Sequence, residues 1–348
     1  MMTLRQLAKE PMTLPTRTTW YLTELAEARG KQDLFTRQSP QKLNVLREHA
    51  LVESAVSSNR IEGVEVDKSR IGTLLFGKPA LRNRDEEEVR GYRDALKLIH
   101  ERGANLPITE ATIKRLHRLC RGEFWDAGAY KKKDVHIIEK YPDGRTRVRF
   151  KTVPPRETPK AMGQMIQLWQ RGMKEKWIHP LALVAALNLD FLCIHPFRDG
   201  NGRVSRLLFL LACYHCGLEV GRYISLERLI EQNKERYYEV LEQSSQRWNE
   251  GKHDPWPTMD FLLFILTEAC KEFEQRVGQL KSPRGEKTAM VLAAIDRQVA
   301  TFRVADLQSE CPSVGVDLIR RLLTRLQKDK KIKSLGTGRG AKWLKTGN

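Results

Sequence analysis

The densest group of chemically capable residues is the unbroken run Ile194-His195-Pro196-Phe197-Arg198-Asp199-Gly200-Asn201-Gly202-Arg203-Val204-Ser205-Arg206. Gly200 and Gly202 let backbone N–H groups turn toward one point, and a helix starting there adds the positive end of its dipole. Such a turn is an anion cradle. Arg203 and Arg206, three residues apart, share a helix face and would both reach an anion held in it. Asp199 is the carboxylate close enough to hold a divalent cation against phosphate oxygens, since Mg2+ is commonly bound by one or two carboxylates plus the phosphates themselves. His195, four residues before that acid, is the natural general base. Base, metal ligand, anion donors and arginines in one loop describe transfer of a phosphate-containing group.

A loop of this kind needs rigid elements on either side. Leu181 to Ile194 is apolar almost all round, which predicts a helix buried in the middle of a bundle. Val204 to Cys216 predicts a second apolar helix, and the loop joins the two. Around them, Val89, Tyr92, Leu96 and Ile99 recur at helical steps behind an acidic first turn (Glu86 to Glu88). Ile113, Leu116 and Leu119 repeat the pattern after Thr109, an N-cap, and so do Met162, Met165, Ile166 and Trp169. Further helices are predicted over 226–248 and 257–280. The body is therefore all-α. One segment breaks the period: between Tyr130 and Val153, Val135 and Ile137, then Val148 and Phe150, alternate with polar residues on either side of Tyr141-Pro142-Asp143-Gly144, a turn signal. A lone β-hairpin has an open edge to which another strand can add.

Composition bounds the class. The chain has 348 residues, 61 Lys and Arg against 43 Asp and Glu, a formal net charge of +18, and 41% hydrophobic residues. It is long enough for two or three units and too apolar to be disordered throughout. The most apolar stretch, 177–197, is interrupted by His179, Pro180, Asn188, Asp190, His195 and Pro196, so it is not suited to crossing about 30 Å of hydrocarbon. The N-terminus lacks the apolar core of an export signal, and the six scattered cysteines suit reduced thiols; a cytoplasmic protein without a membrane role is expected. The positive surplus asks for an anionic partner without choosing one.

The run from His195 to Arg206, HPFRDGNGRVSR, resembles the Fic-domain signature HPFx(D/E)GN(G/K)RxxR position for position. The resemblance extends from about Leu51 to Cys270, through Glu88-Val89, Gly128-Ala129-Tyr130, Pro154-Pro155 and Ser225 to Tyr237-Tyr238. It implies a Fic-type helical bundle whose hairpin is a flap that aligns a target segment, and a protein adenylyltransferase that moves AMP from ATP, with Mg2+, to a Ser, Thr or Tyr hydroxyl of a target protein or of the chain itself. By the same resemblance His195 would deprotonate the target hydroxyl and Asp199 would hold Mg2+ on the phosphates. Arg198, Gly200, Asn201 and Gly202 would surround the phosphates, Arg203 would grip the γ-phosphate, and Arg206 would support it from the next turn. Asn233 with Tyr237 or Tyr238 would form the adenine pocket. Upstream, Ser58-Asn59-Arg60-Ile61-Glu62-Gly63 resembles the inhibitory (S/T)xxxE(G/N) motif, which implies a helix whose Glu62 pairs with Arg203 and displaces the nucleotide. Removal of AMP stays open as another activity of the same residues, and a homodimer stays open as a state.

Three regions are expected: 1–100, with the inhibitory helix; 101–280, the catalytic core with its flap; and 285–348, beyond a linker at Lys281-Ser282-Pro283-Arg284-Gly285. In the last, a helix over 289–299, a short helix or turn over 304–307 and a helix over 316–328 precede a glycine-turned pair of strands in 332–345, the plan of a winged helix-turn-helix. From residue 281 on, fifteen Lys and Arg face six acids, half of the whole surplus. Arg320, Arg321 and Arg325 on the third helix and Arg339 and Lys342 in the wing could meet DNA, so a DNA-binding regulator with a degenerate Fic core is the rival function. Cys213-Tyr214-His215-Cys216 lies in a buried helix and is read as core. His49, His100, His117, His136, His179 and His253 have no recognisable partners and are read as surface or helix-end residues, and Lys131-Lys132-Lys133 as a solvated face beside the flap.

Overall fold

The computed structural model describes residues 2–9, 13–36, 40–77, 80–140, 144–279, 286–298, 301–311, 314–336, 338, 340 and 341–346. The chain forms two compact units, Met1–Val277 and Gly278–Asn348. Helices before residue 100 belong to the same unit as those after it, so the expected boundary at residue 100 separates no compact bodies. The expected linker at 281–285 lies outside the described residues.

The first unit comprises α1 (Thr3–Lys9), α2 (Thr16–Thr36), α3 (Pro40–Ile61), α4 (Lys68–Phe76), α5 (Arg84–Arg102), α6 (Glu110–Arg121), β1 (Ile137–Lys140), β2 (Thr146–Phe150), α7 (Thr158–Glu175), α8 (Pro180–Ile194), α9 (Asn201–His215), α10 (Leu226–Gln232), α11 (Lys234–Ser245) and α12 (Trp256–Gln279). α8 is the centre: all its residues from Leu181 to Ile194 except Leu192 are buried, and each fully buried Leu, Val or Phe contributes about 1.5–3 kcal/mol. Its two polar residues are satisfied internally. Asn188 Nδ2 donates to the Ser205 carbonyl at 2.8 Å. Asp190 accepts from the Thr3 and Leu4 N–H groups, at 2.7 and 2.9 Å, and from Trp248 Nε1 at 2.8 Å. The carboxylate thereby caps α1, occupying N–H groups that a helix start leaves without partners. Burial nevertheless raises Asp190 to about 6.

The helix expected over 226–248 is broken. Asn233 leaves helical geometry (φ −116°, ψ 31°), ending α10 and starting α11, with its Nδ2 turned back to the Leu229 carbonyl at 2.9 Å. The hairpin is antiparallel, pairing Ile138 with Val148, Glu139 with Arg147 and Lys140 with Thr146, and a bulge falls between Ile137 and Ile138. Residues 141–143 of the expected turn lie outside the described residues. Ile138 and Val148 form an apolar cross-strand pair facing solvent, 53% and 47% exposed.

The second unit holds α13 (Glu286–Arg297), β3 (Phe302–Arg303), α14 (Val304–Glu310), α15 (Val316–Lys328), β4 (Ile332–Ser334) and β5 (Lys342–Lys345). β5 lies between β3 and β4 in an antiparallel sheet, so the strand pair expected from the sequence gains a third member. Val291, Ile295, Phe302, Leu307, Ile319 and Leu323 lead its core. Among the described residues no helix is long and apolar enough to cross a membrane.

Candidate active site

α8 ends and α9 begins with the run singled out from the sequence. His195 is the residue after α8 and adopts a left-handed conformation (φ 51°, ψ 63°), its N–H closing the helix on the Phe191 carbonyl at 2.9 Å. Gly200, also left-handed (φ 79°), starts α9. Left-handed geometry is free for glycine and costs a histidine strain of about 1–3 kcal/mol, held here by the surrounding packing. Asn201 braces the loop: its Oδ1 accepts from the Phe197 N–H at 2.9 Å and its Nδ2 donates to the Phe197 carbonyl at 2.8 Å. Its side chain is therefore committed to the loop, and only its backbone N–H is available to the cradle.

His195, Gly202 and Arg206 line a cavity of about 160 Å3 together with Glu62, Tyr237 and Tyr238. The hairpin closes the opposite wall with Ile137, Arg149 and Phe150, and Leu189, Leu192, Cys193, Leu241 and Ser245 complete it. Several expected residues stand outside its lining, Ser58, Gly63, Asp199, Gly200, Asn201 and Arg203 among them. Asn233 does not line the cavity. Arg198 is exposed, its Nε on Asp126 Oδ2 at 2.7 Å and its guanidinium over the Trp125 ring at 4.9 Å.

The arginine assignments change places. Glu62 pairs with Arg206 (Nη2 to Oε1, 2.7 Å) and not with Arg203. Arg206 is buried and also donates from Nε to Ser58 Oγ and from Nη2 to the Ser58 carbonyl, both at 2.9 Å. Arg203 instead meets Glu88 of α5 at 2.6 Å and, more distantly, Asn59 Oδ1 at 3.4 Å and Asp199 at 3.8 Å. A three-residue step turns the helix about 300°, so the two side chains diverge by roughly 60° and a turn of height. α3 lies against one and α5 against the other. Glu62 itself follows the last residue of α3, where Gly63 (φ 82°) ends the helix. A carboxylate at the negative end of a helix is unfavourable for that helix, and Arg206 supplies the compensation.

Glu62 also sits over the cradle. A Cβ on Gly202 would collide with Glu62 Oε1. Replacing Gly202 by alanine should therefore dislodge Glu62, and the collision and the Glu62→Gly change should be coupled by about 1–2 kcal/mol. Thermal unfolding of Gly202→Ala, Glu62→Gly and the double variant measures this; additive effects would contradict the contact.

Asp199 is 47% exposed. Oδ2 accepts from Arg121 at 2.7 Å and Arg84 at 3.1 Å, and Oδ1 from the Gly200 N–H at 2.6 Å. Burial alone would raise its pKa, but Arg121, Arg203, the Gly200 N–H and Arg84 outweigh it and hold the carboxylate below its ordinary range. Arg121, fully buried, also meets Glu88 at 3.1 Å. Arg84, Glu88 and Arg121 are thus neighbours of the site that the sequence alone does not reveal, since no local spacing links Glu88 to residue 203.

His117, expected at the surface, is buried under the loop. The Gly128 N–H donates to Nδ1 at 2.8 Å, so the ring proton is on Nε2, which donates to the Asp199 carbonyl at 3.0 Å. Its ring stacks on Phe197 at 3.8 Å. Burial lowers His117 to about 4 and His253 likewise. An imidazole ordinarily titrates near 6.5, so between about 6.5 and 4 the unfolded chain binds more protons and stability rises with pH. Acidification through that window should remove about 3 kcal/mol through His117 alone, with a flat profile above it. Urea unfolding at pH 7 and pH 4.5 checks this; a His117→Gln chain should show the shallower slope.

A bundle wrapped on one buried helix, with a glycine-turned phosphate cradle behind that helix and a hairpin across it, defines a Fic-type core. Residues 107–213 match the model of the Fic/DOC family. The segment at 58–63, α10, α11 and the second unit fall outside the match. Similar curated proteins are the protein adenylyltransferase Fic of Nematostella vectensis, 26% identical over 197 residues covering 54% of this chain and 42% of that protein, and that of Drosophila persimilis, 23% identical over 279 residues covering 75% and 51%. The chain spans about half the length of these relatives. A crystal structure of a Fic family protein from Desulfovibrio desulfuricans G20 shares the fold, with a TM-score of 0.64 and 22% identity over 98% of this chain and 99% of that one.

Proposed function

We propose that the chain is a protein adenylyltransferase held in check by Glu62. The observation that carries the reading is the cavity itself, in which His195, the α9 N-terminus at Gly202 and the Arg206 guanidinium converge beneath the hairpin, with Glu62 seated on the cradle. In the reaction the hydroxyl oxygen of a target Ser, Thr or Tyr bonds to the α-phosphorus of ATP, the bond to the β-phosphate oxygen breaks, and pyrophosphate leaves. His195 takes the hydroxyl proton; it is unprotonated at neutral pH because burial and the nearby Lys131 lower it to about 4. Backbone N–H groups at Gly202 and the Arg206 guanidinium hold the phosphates, so the work is positioning and charge neutralisation. Tyr237, Leu241 and Phe150 offer aromatic and aliphatic surface to a base. Mg2+ fits Asp199, an ionised, half-exposed carboxylate whose partner Arg84 is itself half-exposed and displaceable; when bound, the ion would neutralise the phosphates.

Glu62 supports inhibition because its carboxylate takes the place of an anion on Gly202 and occupies the arginine an ATP phosphate would need. The exposed pair Ile138 and Val148 suits a target backbone laid along the hairpin. Offering ATP, GTP, CTP and UTP to Glu62→Gly protein, and weighing the chain and added target proteins by mass spectrometry, tests the reading: a single AMP adduct is expected, and no nucleotide adduct from any of the four would defeat it.

The second unit supports a winged-helix reading with DNA as a partner, through residues 285–348. Arg320, Arg321, Arg325 and Lys328 are exposed on α15, and Lys333, Lys342 and Lys345 on the sheet; Arg339 lies outside the described residues. Full-length protein should bind duplex DNA with an affinity that falls steeply with salt, and replacing Arg320, Arg321 and Arg325 by alanine should flatten the slope by about three charges. Equal slopes would reject this partner. Six buried thiols suit a reducing, cytoplasmic setting.

A further inference from the structure

Lys131, read from the sequence as part of a solvated run, is 4% exposed. Its Nζ donates to the Ile194 carbonyl at 3.2 Å and to Thr152 Oγ1 at 2.8 Å. Its backbone N–H donates to the Pro196 carbonyl at 2.9 Å. One residue thus holds the carbonyls of Ile194 and Pro196, the residues that flank His195. Thr152 passes the contact on, donating to the Val135 carbonyl at 2.8 Å, so the two roots of the hairpin and the catalytic loop meet at one ammonium.

Among the described residues no carboxylate lies within ion-pair distance of that ammonium, and its acceptors are neutral. A buried charge so placed is costly, and an apolar side chain of similar length would fill the space more cheaply. Burial accordingly lowers Lys131 to about 8, with Asp134 opposing. The charge acts on the His195 imidazole. Burial first and Lys131 second lower His195, while the Leu192 carbonyl, Glu62 and Asp199 pull the other way. Arg206 from α9 and Arg149 from β2 share the cavity, and burial keeps Cys193, Tyr237 and Tyr238 protonated and neutral there.

We propose that Lys131 is a positioning residue for His195: it clamps the backbone at Ile194 and Pro196 so that the histidine keeps its left-handed conformation, and its ammonium opposes protonation of the imidazole. Describing His195 as a base rests on the adenylyltransferase reading; the clamp and the charge coupling do not.

The test follows His195 imidazole nitrogens by NMR in the full chain, assigned by their loss in His195→Asn. At pH 5, about a tenth of His195 should be protonated in the wild type and about half in Lys131→Met, a shift of about one unit, while Lys131→Arg should stay near the wild type. Equal protonation in wild type and Lys131→Met, or equal shifts in Lys131→Met and Lys131→Arg, would overturn the proposal. If Lys131→Met does not fold, Thr152→Val removes the hydroxyl that anchors Nζ and should move His195 in the same direction; no movement overturns the proposal as well. In a Glu62→Gly background the acidic limb of the AMP-transfer rate should move upward with the titration. Should no variant transfer AMP, the adenylyltransferase reading fails while the titration still decides the role of Lys131.

Discussion

Replacing Glu62 by glycine is expected to raise AMP transfer at least about tenfold, the equivalent of 1.4 kcal/mol of freed phosphate binding. Two positions of Glu62 would compete with a phosphate. It neutralises Arg206 at 2.7 Å, and it lies against Gly202 where the α9 N-terminus would receive an anion. Both are interactions that a phosphate must take over, and charge-assisted hydrogen bonds to arginine are among the stronger ones available. Glycine is a fitting replacement because the position follows α3 and carries no packing of its own that would be lost from the core. Transfer of radiolabel from ATP carrying it on the α-phosphate measures the effect. A Glu62→Gly chain that binds ATP more tightly yet transfers no faster would mean that Glu62 governs access alone; unchanged binding and unchanged transfer would remove Glu62 from the site's regulation.

The second large effect concerns His195. In the Glu62→Gly background, His195→Asn should reduce transfer by about 10²–10⁴-fold, the usual contribution of general base catalysis. Asparagine is preferred to alanine because residue 195 is left-handed and Asn tolerates that region, so the loop should keep its shape. ATP binding measured by calorimetry should stay within about threefold and the unfolding temperature within a few degrees. Loss of activity with intact binding identifies a group acting on the reacting atoms. Activity retained within tenfold would transfer the base role to another group in the cavity.

Much of this site was legible in the sequence because its key pieces are contiguous. The glycines at 200 and 202 admit the turn, the apolar run before them requires a buried helix, and His195 and Asp199 are brought near each other by four residues of loop. The hairpin was legible from its alternation, and the basic tail from composition. Local spacing did not reveal His117 or Lys131: a histidine in one amphipathic helix and a lysine in a run of three look solvent-facing until the loop from 195 to 200 is laid over them. The break at Asn233 was likewise hidden, because a residue that ends one helix and begins the next leaves the apolar periodicity on both sides intact.

By itself, then, the sequence determined what chemistry the loop between α8 and α9 can perform, since backbone freedom, helix polarity and a base next to an acid are properties of adjacent residues. Which arginine serves which carboxylate was a different kind of question. Arg203 and Arg206 are equivalent in type and nearly so in spacing, and their fates were decided by which helix packs on each side of α9: α5 brings Glu88 to Arg203 at 2.6 Å and the end of α3 brings Glu62 to Arg206 at 2.7 Å. An ion pair between residues more than a hundred positions apart depends on how whole helices cross, and helix crossing is set by the packing of their entire faces.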